Sequence, residues 1–251
     1  MSIKHISAIV LAKNNDNTIG KTLQSLVSFE DVVVYDNGST DSTMDIAKEF
    51  ANVHLIKGEF KGFGWTKNQA VSFAKNDWVI IIDSDEVIDE TLLNILKTKT
   101  LDDSTVYQLN FKAFYKDIQV KHCGWNNQKI KRMYNKKITS YNMNDVHEDI
   151  ISENFNIEIL DGNVEHYSYH TISEFIVKAD RYSTLFAQNN VGKKSSSPLK
   201  AILNGMYSFI KTYFFKRGFL DGYVGLIISF SHMVTNFYKY IKLYELNQEK
   251  R

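Results

Sequence analysis

Four short apolar runs in the first hundred residues each end in a polar loop, and no other feature restricts the fold as tightly. Residues 6–11 break into Lys13-Asn14-Asn15-Asp16-Asn17, and a helical pattern follows through Ile19, Leu23, Leu26 and Val27. Residues 31–35 run into Asp36-Asn37-Gly38-Ser39-Thr40-Asp41 and then a helix over 42–50, where Gly38 permits a tight turn. Residues 53–56 make a third strand, 58–64 a glycine-containing loop, 65–75 a helix and 77–82 a fourth strand. Strands alternating with helices predict an α/β fold with a mostly parallel sheet and helices on both faces. The apolar runs lack strict alternation, as strands covered on both sides do. Ligands of such sheets bind beyond the carboxyl ends of the strands.

The fourth strand, Trp78-Val79-Ile80-Ile81-Ile82, empties into Asp83, Asp85 and Glu86. Carboxylates two residues apart leave a strand end on the same side, and desolvating both without a counter-ion costs several kcal/mol. A hard divalent cation, Mg²⁺ or Mn²⁺, suits such oxygen ligands and typically completes its shell with substrate phosphates. The competing reading is a solvated acidic turn in which Asp85 or Asp89 caps the helix beginning at Thr91. No Gly-x-Gly-x-x-Gly follows the first strand and no P-loop occurs, so dinucleotide and P-loop folds are disfavoured.

Asp36-Asn37-Gly38-Ser39-Thr40-Asp41, then Lys67-Asn68, then Asp83-Ser84-Asp85-Glu86, taken in this order, resemble the nucleotide-sugar-binding half of family 2 glycosyltransferases over residues 5–100. The resemblance implies a GT-A fold, Rossmann-like, with a carboxyl-terminal helical extension. It also implies that Asp36 hydrogen-bonds a uracil imide, that Lys67 lies near a diphosphate, and that Asp83 and Asp85 serve ribose and metal. The chemistry agrees: a carboxylate accepts from a pyrimidine N3–H, and a lysine offsets diphosphate charge. A helix-capping Asp36 and a solvent-facing Lys67 are the plain alternatives. Asn14 is a further candidate for the base, although Lys13 and Asn15 replace the family's usual neighbours.

From Thr105 the texture changes to an alternating strand through Tyr115, which fits an antiparallel addition. Cys123-Gly124-Trp125, Val146-His147-Glu148 and Arg217-Gly218-Phe219-Leu220-Asp221-Gly222 resemble bacterial lipopolysaccharide-core glycosyltransferases that attach glucose to a heptose. An inverting transfer needs one base for the acceptor hydroxyl. Glu148, flanked by His147 and Asp149, is that candidate; Asp149 is the second choice, and a surface acidic turn the third reading. His166 is the metal's third ligand by resemblance, which favours Mn²⁺ because imidazole is a softer donor. A core histidine is the alternative, and His170 competes for the same role.

A helix over 172–190, with Phe175, Ile176, Ala179, Tyr182 and Phe186 on one side, is broken at 192–198, where Pro198 acts as a stop. Two amphipathic helices joined near Gly218 to Gly222 follow. Residues 191–251 carry ten Lys or Arg against three Asp or Glu, in a chain whose formal net charge is only +1. That balance gives no nucleic-acid signature. The basic, aromatic end suits either an interfacial helix on anionic lipid or a helical pair packed on the catalytic domain. Its longest apolar stretch, 223–234, is too short to span a bilayer. The amino terminus reads as a strand rather than a signal peptide, and the lone Cys123 as a packed residue.

The expected organisation is a donor half over 1–100, an acceptor and catalytic half over 101–170, and a helical segment over 171–251. The expected activity is transfer of a sugar, glucose by resemblance, from a UDP-sugar to a lipid-linked saccharide. It would take place at the cytoplasmic face of the inner membrane with Mn²⁺ or Mg²⁺. Polyprenyl-phosphate or protein acceptors, a nucleotidyltransferase and a sugar-nucleotide sensor are the rival readings.

Overall fold

β1 (Ile6–Ala12), α1 (Ile19–Ser25), β2 (Val32–Asp36), α2 (Thr43–Lys48), β3 (Val53–Lys57), α3 (Phe63–Val71) and β4 (Trp78–Asp83) succeed one another in the predicted order. The computed structural model describes residues 2–126, 128–144 and 148–249. β5 (Glu86–Ile88), α4 (Glu90–Thr98), β6 (Thr105–Tyr115), β7 (Ile118–Val120), β8 (Gln128–Asn135), β9 (Asn156–Ile159) and β10 (Val164–Tyr169) come next. The chain closes with α5 (Ile172–Asn190), α6 (Pro198–Ile210) and α7 (Gly222–Glu249). Two units result. The first takes the residues up to Phe111 and those from Gln128 to His166; the second takes Lys112–Asn126 and everything from Tyr167 onward.

In the first unit β3, β2, β1 and β4 pair in parallel, as their helical crossovers require. β8 then adds antiparallel to β4 and β6 antiparallel to β8, the predicted change of direction. Alternate residues of each central strand face opposite sides. Ile6, Ala8, Val10, Val32, Val34, Ile80 and Ile82 join α1, α2 and α4 in one core, while Ile9, Val33, Val79 and Ile81 join α3 in another. Each fully buried Ile or Val contributes about 1.5–3 kcal/mol, so this two-faced burial is what holds the sheet together.

α3 ends at Val71 rather than at the predicted residue 75. The side chains of Asp31 and Ser7 capture the backbone N–H groups of Lys75 and Asn76 at 2.8 and 3.0 Å, turning the chain into β4 before another helical turn can form. At α4 the capping carboxylate is Asp89, which accepts from Leu92 N at 2.9 Å. Asp85 is therefore left for other work.

In the second unit Phe175, Val224 and Ile228 pack with Cys123 in a separate core. Burial pushes the Cys123 thiol up to about 12, so it acts as a small apolar residue and not as a nucleophile. α5 matches its expected span, but Ile176 and Tyr182 are exposed and the buried stripe runs through Phe175, Ala179, Ser183 and Ala187. Pro198 does not act as a stop. It opens α6, where its missing N–H costs nothing, and Ser197 caps the same helix by accepting from Lys200 N. α6 runs on through a π-helical turn, Lys211–Phe215. Among the described residues no helix is long and apolar enough to cross a membrane.

Candidate active site

The carboxyl ends of β1, β2 and β4 lie side by side: Ala12 pairs with Asp36 and Leu11 with Asp83. The two aspartates flank β1 from neighbouring strands, two strand spacings or roughly 10 Å apart. Asp36 is buried and closes its own loop, accepting from Gly38 N and Ser39 N at 3.1 Å. The turn needs a positive φ at Gly38, +85°, which a side chain would strain. Asp36 caps this turn and not the helix, which starts seven residues later at Thr43. Asn14 bridges the first two loops: its Oδ1 accepts from Thr40 N at 2.8 Å, and its own N–H donates to Ser39 Oγ at 2.9 Å. Its amide therefore shapes the rim of the site.

Asp83, Asp85 and Glu86 divide into distinct roles. Glu86 is fully buried; its Oε2 accepts from Asp83 N at 2.8 Å and its Oε1 from Arg132 at 2.7 Å. The same guanidinium nitrogen donates to Asp83 Oδ2 at 2.8 Å. Burial pushes Asp83 upward, but Arg132 and Lys67 outweigh it and hold Asp83 well below the usual carboxylate range. Burial pushes the Glu86 carboxyl up to about 7 against the pull of Arg132. α1 braces the turn that carries them, Thr22 Oγ1 donating to Ser84 O at 3.0 Å.

Asp85 faces His166, whose Nε2 lies 3.4 Å from Asp85 Oδ2. Antiparallel pairing of β5 with β10 sets this contact, because His166 lies directly across from Glu86. Burial disfavours the charged imidazole, but the Asp85 hydrogen bond and the Glu86 and Asp83 carboxylates overcome it and raise its proton affinity. His170, the competing histidine, belongs to the second unit, where its ring stacks on Tyr167.

Among the described residues no three His, Cys, Asp or Glu side chains stand together as a ready metal site; Asp85 and His166 form a close pair, and Asp83 supplies oxygen chemistry of the kind Mg²⁺ or Mn²⁺ takes two residues away. Asp83 Oδ1 accepts no hydrogen bond among the described residues, and Asp85 meets only His166. Across the site Asp83, Asp85 and Glu148, with the partly protonated Glu86, face Arg132 and Lys67 as the permanent cations among the described residues. Positive charge is in deficit there, and the raised proton affinity of His166 is one sign of it.

Lys67 and Glu148 form the other half of the site. Lys67 Nζ lies 2.6 Å from Glu148 Oε1, and the side chains are 6% and 16% exposed, so this is an inward-facing ion pair. One face of α3 builds it. Gly64 sits so close to the loop that a Cβ there would lie 1.9 Å from Asn142 O. Asn68, one helical turn on, donates to Tyr141 O at 2.9 Å and accepts from Tyr141 N at 3.0 Å. Lys67, between them on that face, is thereby carried against Glu148 and over the Tyr141 ring, 4.9 Å from its centroid. Asp149 is half-exposed and pairs with Lys131 instead. His147, expected to orient Glu148, lies outside the described residues.

The sequence profile of glycosyl transferase family 2 matches residues 7–157, a span containing Asp36, Lys67, Asp83, Asp85 and Glu148. The chain belongs to this family. An uncharacterized glycosyltransferase of Rickettsia typhi is 30% identical over 99% of this chain and 90% of its own, and one of Rickettsia prowazekii is 30% identical over 98% and 88%. A lipopolysaccharide core biosynthesis glycosyltransferase of Rhizobium meliloti is 23% identical over 96% and 92%. As a family 2 glycosyltransferase the chain is an enzyme of sugar transfer, and the nucleotidyltransferase and sensor readings fall away.

Arg132 is the member of this cluster that sequence reasoning passed over in this glycosyltransferase. It stands in an ordinary basic strand, Lys129-Ile130-Lys131-Arg132, and only the β4–β8 pairing turns it inward onto Asp83 and Glu86. Its Nε and Nη1 are buried without a hydrogen-bond partner among the described residues, as is the Tyr141 hydroxyl. Removing one member of a buried ion cluster leaves the other charges uncompensated, so Arg132→Met is expected to destabilise the fold by about 3–5 kcal/mol. Urea unfolding measures it; a midpoint equal to wild type would show that Arg132 does not neutralise this cluster.

Proposed function

We propose that this glycosyltransferase moves a sugar, glucose, from a UDP-sugar to a hydroxyl of a lipid-linked saccharide such as a lipopolysaccharide-core heptose, with inversion at the anomeric carbon. The observation that carries the reading is the acidic exit of β4, where Asp85 pairs with His166 and Asp83 feels the charge of Lys67 from the Lys67–Glu148 pair. Asp36, at the neighbouring strand end, would receive the uracil imide on a carboxylate oxygen. Lys67 would take diphosphate charge. A divalent cation, Mn²⁺ or Mg²⁺, held by Asp83, Asp85 and His166 would stabilise the charge that builds on the leaving diphosphate.

Glu148 would take the proton of the acceptor hydroxyl as the acceptor oxygen bonds to C1 and the C1–O bond to the diphosphate breaks. Lys67 cannot serve Glu148 and the diphosphate equally well. A donor that draws Lys67 away would release Glu148 for the acceptor, so donor-first binding follows from the pair itself.

Contact with an anionic membrane from its cytoplasmic side is part of the proposal, and α6 supports it. Its small residues Ala201 and Gly205 are buried, whereas Leu199, Leu203, Tyr207, Ile210 and Phe214 form an outward apolar stripe. Lys200, Lys211, Lys216 and Arg217 stand among them. Each basic residue near an anionic surface adds about 1 kcal/mol.

A panel of nucleotide-sugars read by thermal unfolding tests the donor. A ligand at a hundred times its Kd stabilises by about 2.7 kcal/mol. UDP-glucose with Mn²⁺ is expected to raise the unfolding temperature while ADP- and GDP-glucose do not. A larger rise with either of those would overturn the uracil assignment to Asp36.

A further inference from the structure

Between α5 and α7, wholly within the second unit, lies a cavity of about 420 Å³. This is within the roughly 300–1,000 Å³ typical of small-molecule sites. Most of its lining, from Tyr169 to Lys239, falls after residue 157, where the family match ends. We propose that this cavity binds a saccharide bearing an anionic substituent, a phosphate ester or a carboxylate. The inference goes beyond the donor reading and does not rest on it.

One wall is aromatic. Tyr169 and Phe175 stack 3.9 Å apart with 3° between their planes, and Trp125 lies 5.5 Å from Tyr169 at 20°. Trp125, Tyr169, Phe175 and Tyr182 make this lining predominantly aromatic, a chemistry suited to the C–H groups of a pyranose. His232, Asn236 and Lys239 line the same cavity from α7 at helical spacing.

The polar groups on α7 have capacity left over. Asn236 Nδ2 donates to Ser208 Oγ and to His232 O, both at 2.9 Å, and its Oδ1 accepts from no group among the described residues. His232 Nδ1 meets Thr212 Oγ1 at 3.1 Å. Burial, with Lys216 and Lys239 adding to it, pushes the His232 imidazole down to about 4, so near neutral pH it offers a neutral hydrogen-bonding edge and not a charge.

The charge in the cavity is of one sign. Lys178 and Lys239 line it, and no lining residue carries a carboxylate. Lys178 donates to Ser168 O at 3.0 Å and lies over the Tyr169 ring at 4.0 Å. Lys239 Nζ has no hydrogen bond or ion pair among the described residues; its nearest described partner is the Phe186 ring, 5.5 Å away. Burial lowers its proton affinity. An ammonium half-buried and without an anion among the described residues, in an aromatic lining beside the Asn236 amide, is matched by an anionic sugar.

Calorimetric titration of the full-length protein with UDP and Mn²⁺ at saturation, so that any donor site is filled, tests the proposal. Glucose 6-phosphate, glucuronate, glucose and inorganic phosphate are the probes, and the tighter of the first two identifies the anion. At least one anionic sugar is expected to bind about tenfold or more tightly than both glucose and phosphate. Lys239→Gln is expected to remove that margin and Lys239→Arg to restore it, with unfolding temperatures close to wild type. Binding of neither anionic sugar, binding of glucose or phosphate as tight as theirs, or an unchanged margin in Lys239→Gln would overturn the assignment.

Discussion

Asp85→Ala is expected to lower sugar transfer about a thousandfold, equivalent to ~4 kcal/mol of transition-state stabilisation, while leaving the protein folded. The two halves of this expectation rest on different observations. Asp85 makes one described contact, with His166 at 3.4 Å, so its loss removes little that supports the core. Glu86 and Asp83, in contrast, are tied to Arg132, and their substitution would confuse activity with folding. Asp85 is thus the member of the cluster whose role is separable from structure. Turnover of UDP-glucose at saturating Mn²⁺, with the unfolding temperature measured alongside, checks it. Activity within tenfold of wild type would remove Asp85 from the proposed metal site.

Glu148→Gln is expected to lower turnover by about 10²–10⁴, the usual contribution of a positioned general base. UDP-sugar binding is expected to remain as tight as in wild type, or tighter. The sign of the binding change follows from the Lys67–Glu148 pair at 2.6 Å: the amide leaves the Lys67 charge undivided for a diphosphate. A structural role alone would predict loss of binding and of stability together. Titration with UDP and single-turnover kinetics separate the cases. Weaker binding with unchanged turnover would make Glu148 an anchor for Lys67 and return Asp149 as a candidate base, despite its pairing with Lys131.

Local chemistry was legible in the sequence; pairing across long separations was not. The strand-loop-helix units and the acidic exit of β4 depend on residues close together in the chain, and they appear where the periodicity placed them. Arg132 reaches Asp83 and Glu86 across 49 and 46 residues, and Lys67 reaches Glu148 across 81. No local pattern encodes these partners. β5 has only three residues, too few for a periodic signal, yet it is the strand that brings His166 to the acidic cluster.

Gly64 had a trace in the sequence, a glycine three residues before Lys67, but its use depends on the loop at Asn142 approaching from elsewhere. In α6 the periodicity revealed an apolar face without revealing its direction. That face points outward because Ala201 and Gly205 allow the closer approach to α7, Gly205 lying near Met233 and Phe237.

The central claim is that Asp83, Asp85 and His166 gather a divalent cation against the diphosphate of an activated sugar. Anomalous diffraction at the manganese edge from crystals soaked in Mn²⁺ and UDP tests it directly. The account predicts one strong peak in contact with Asp85 and the nucleotide's phosphate oxygens. UDP bound at Asp36 with no manganese peak beside Asp85 would contradict it.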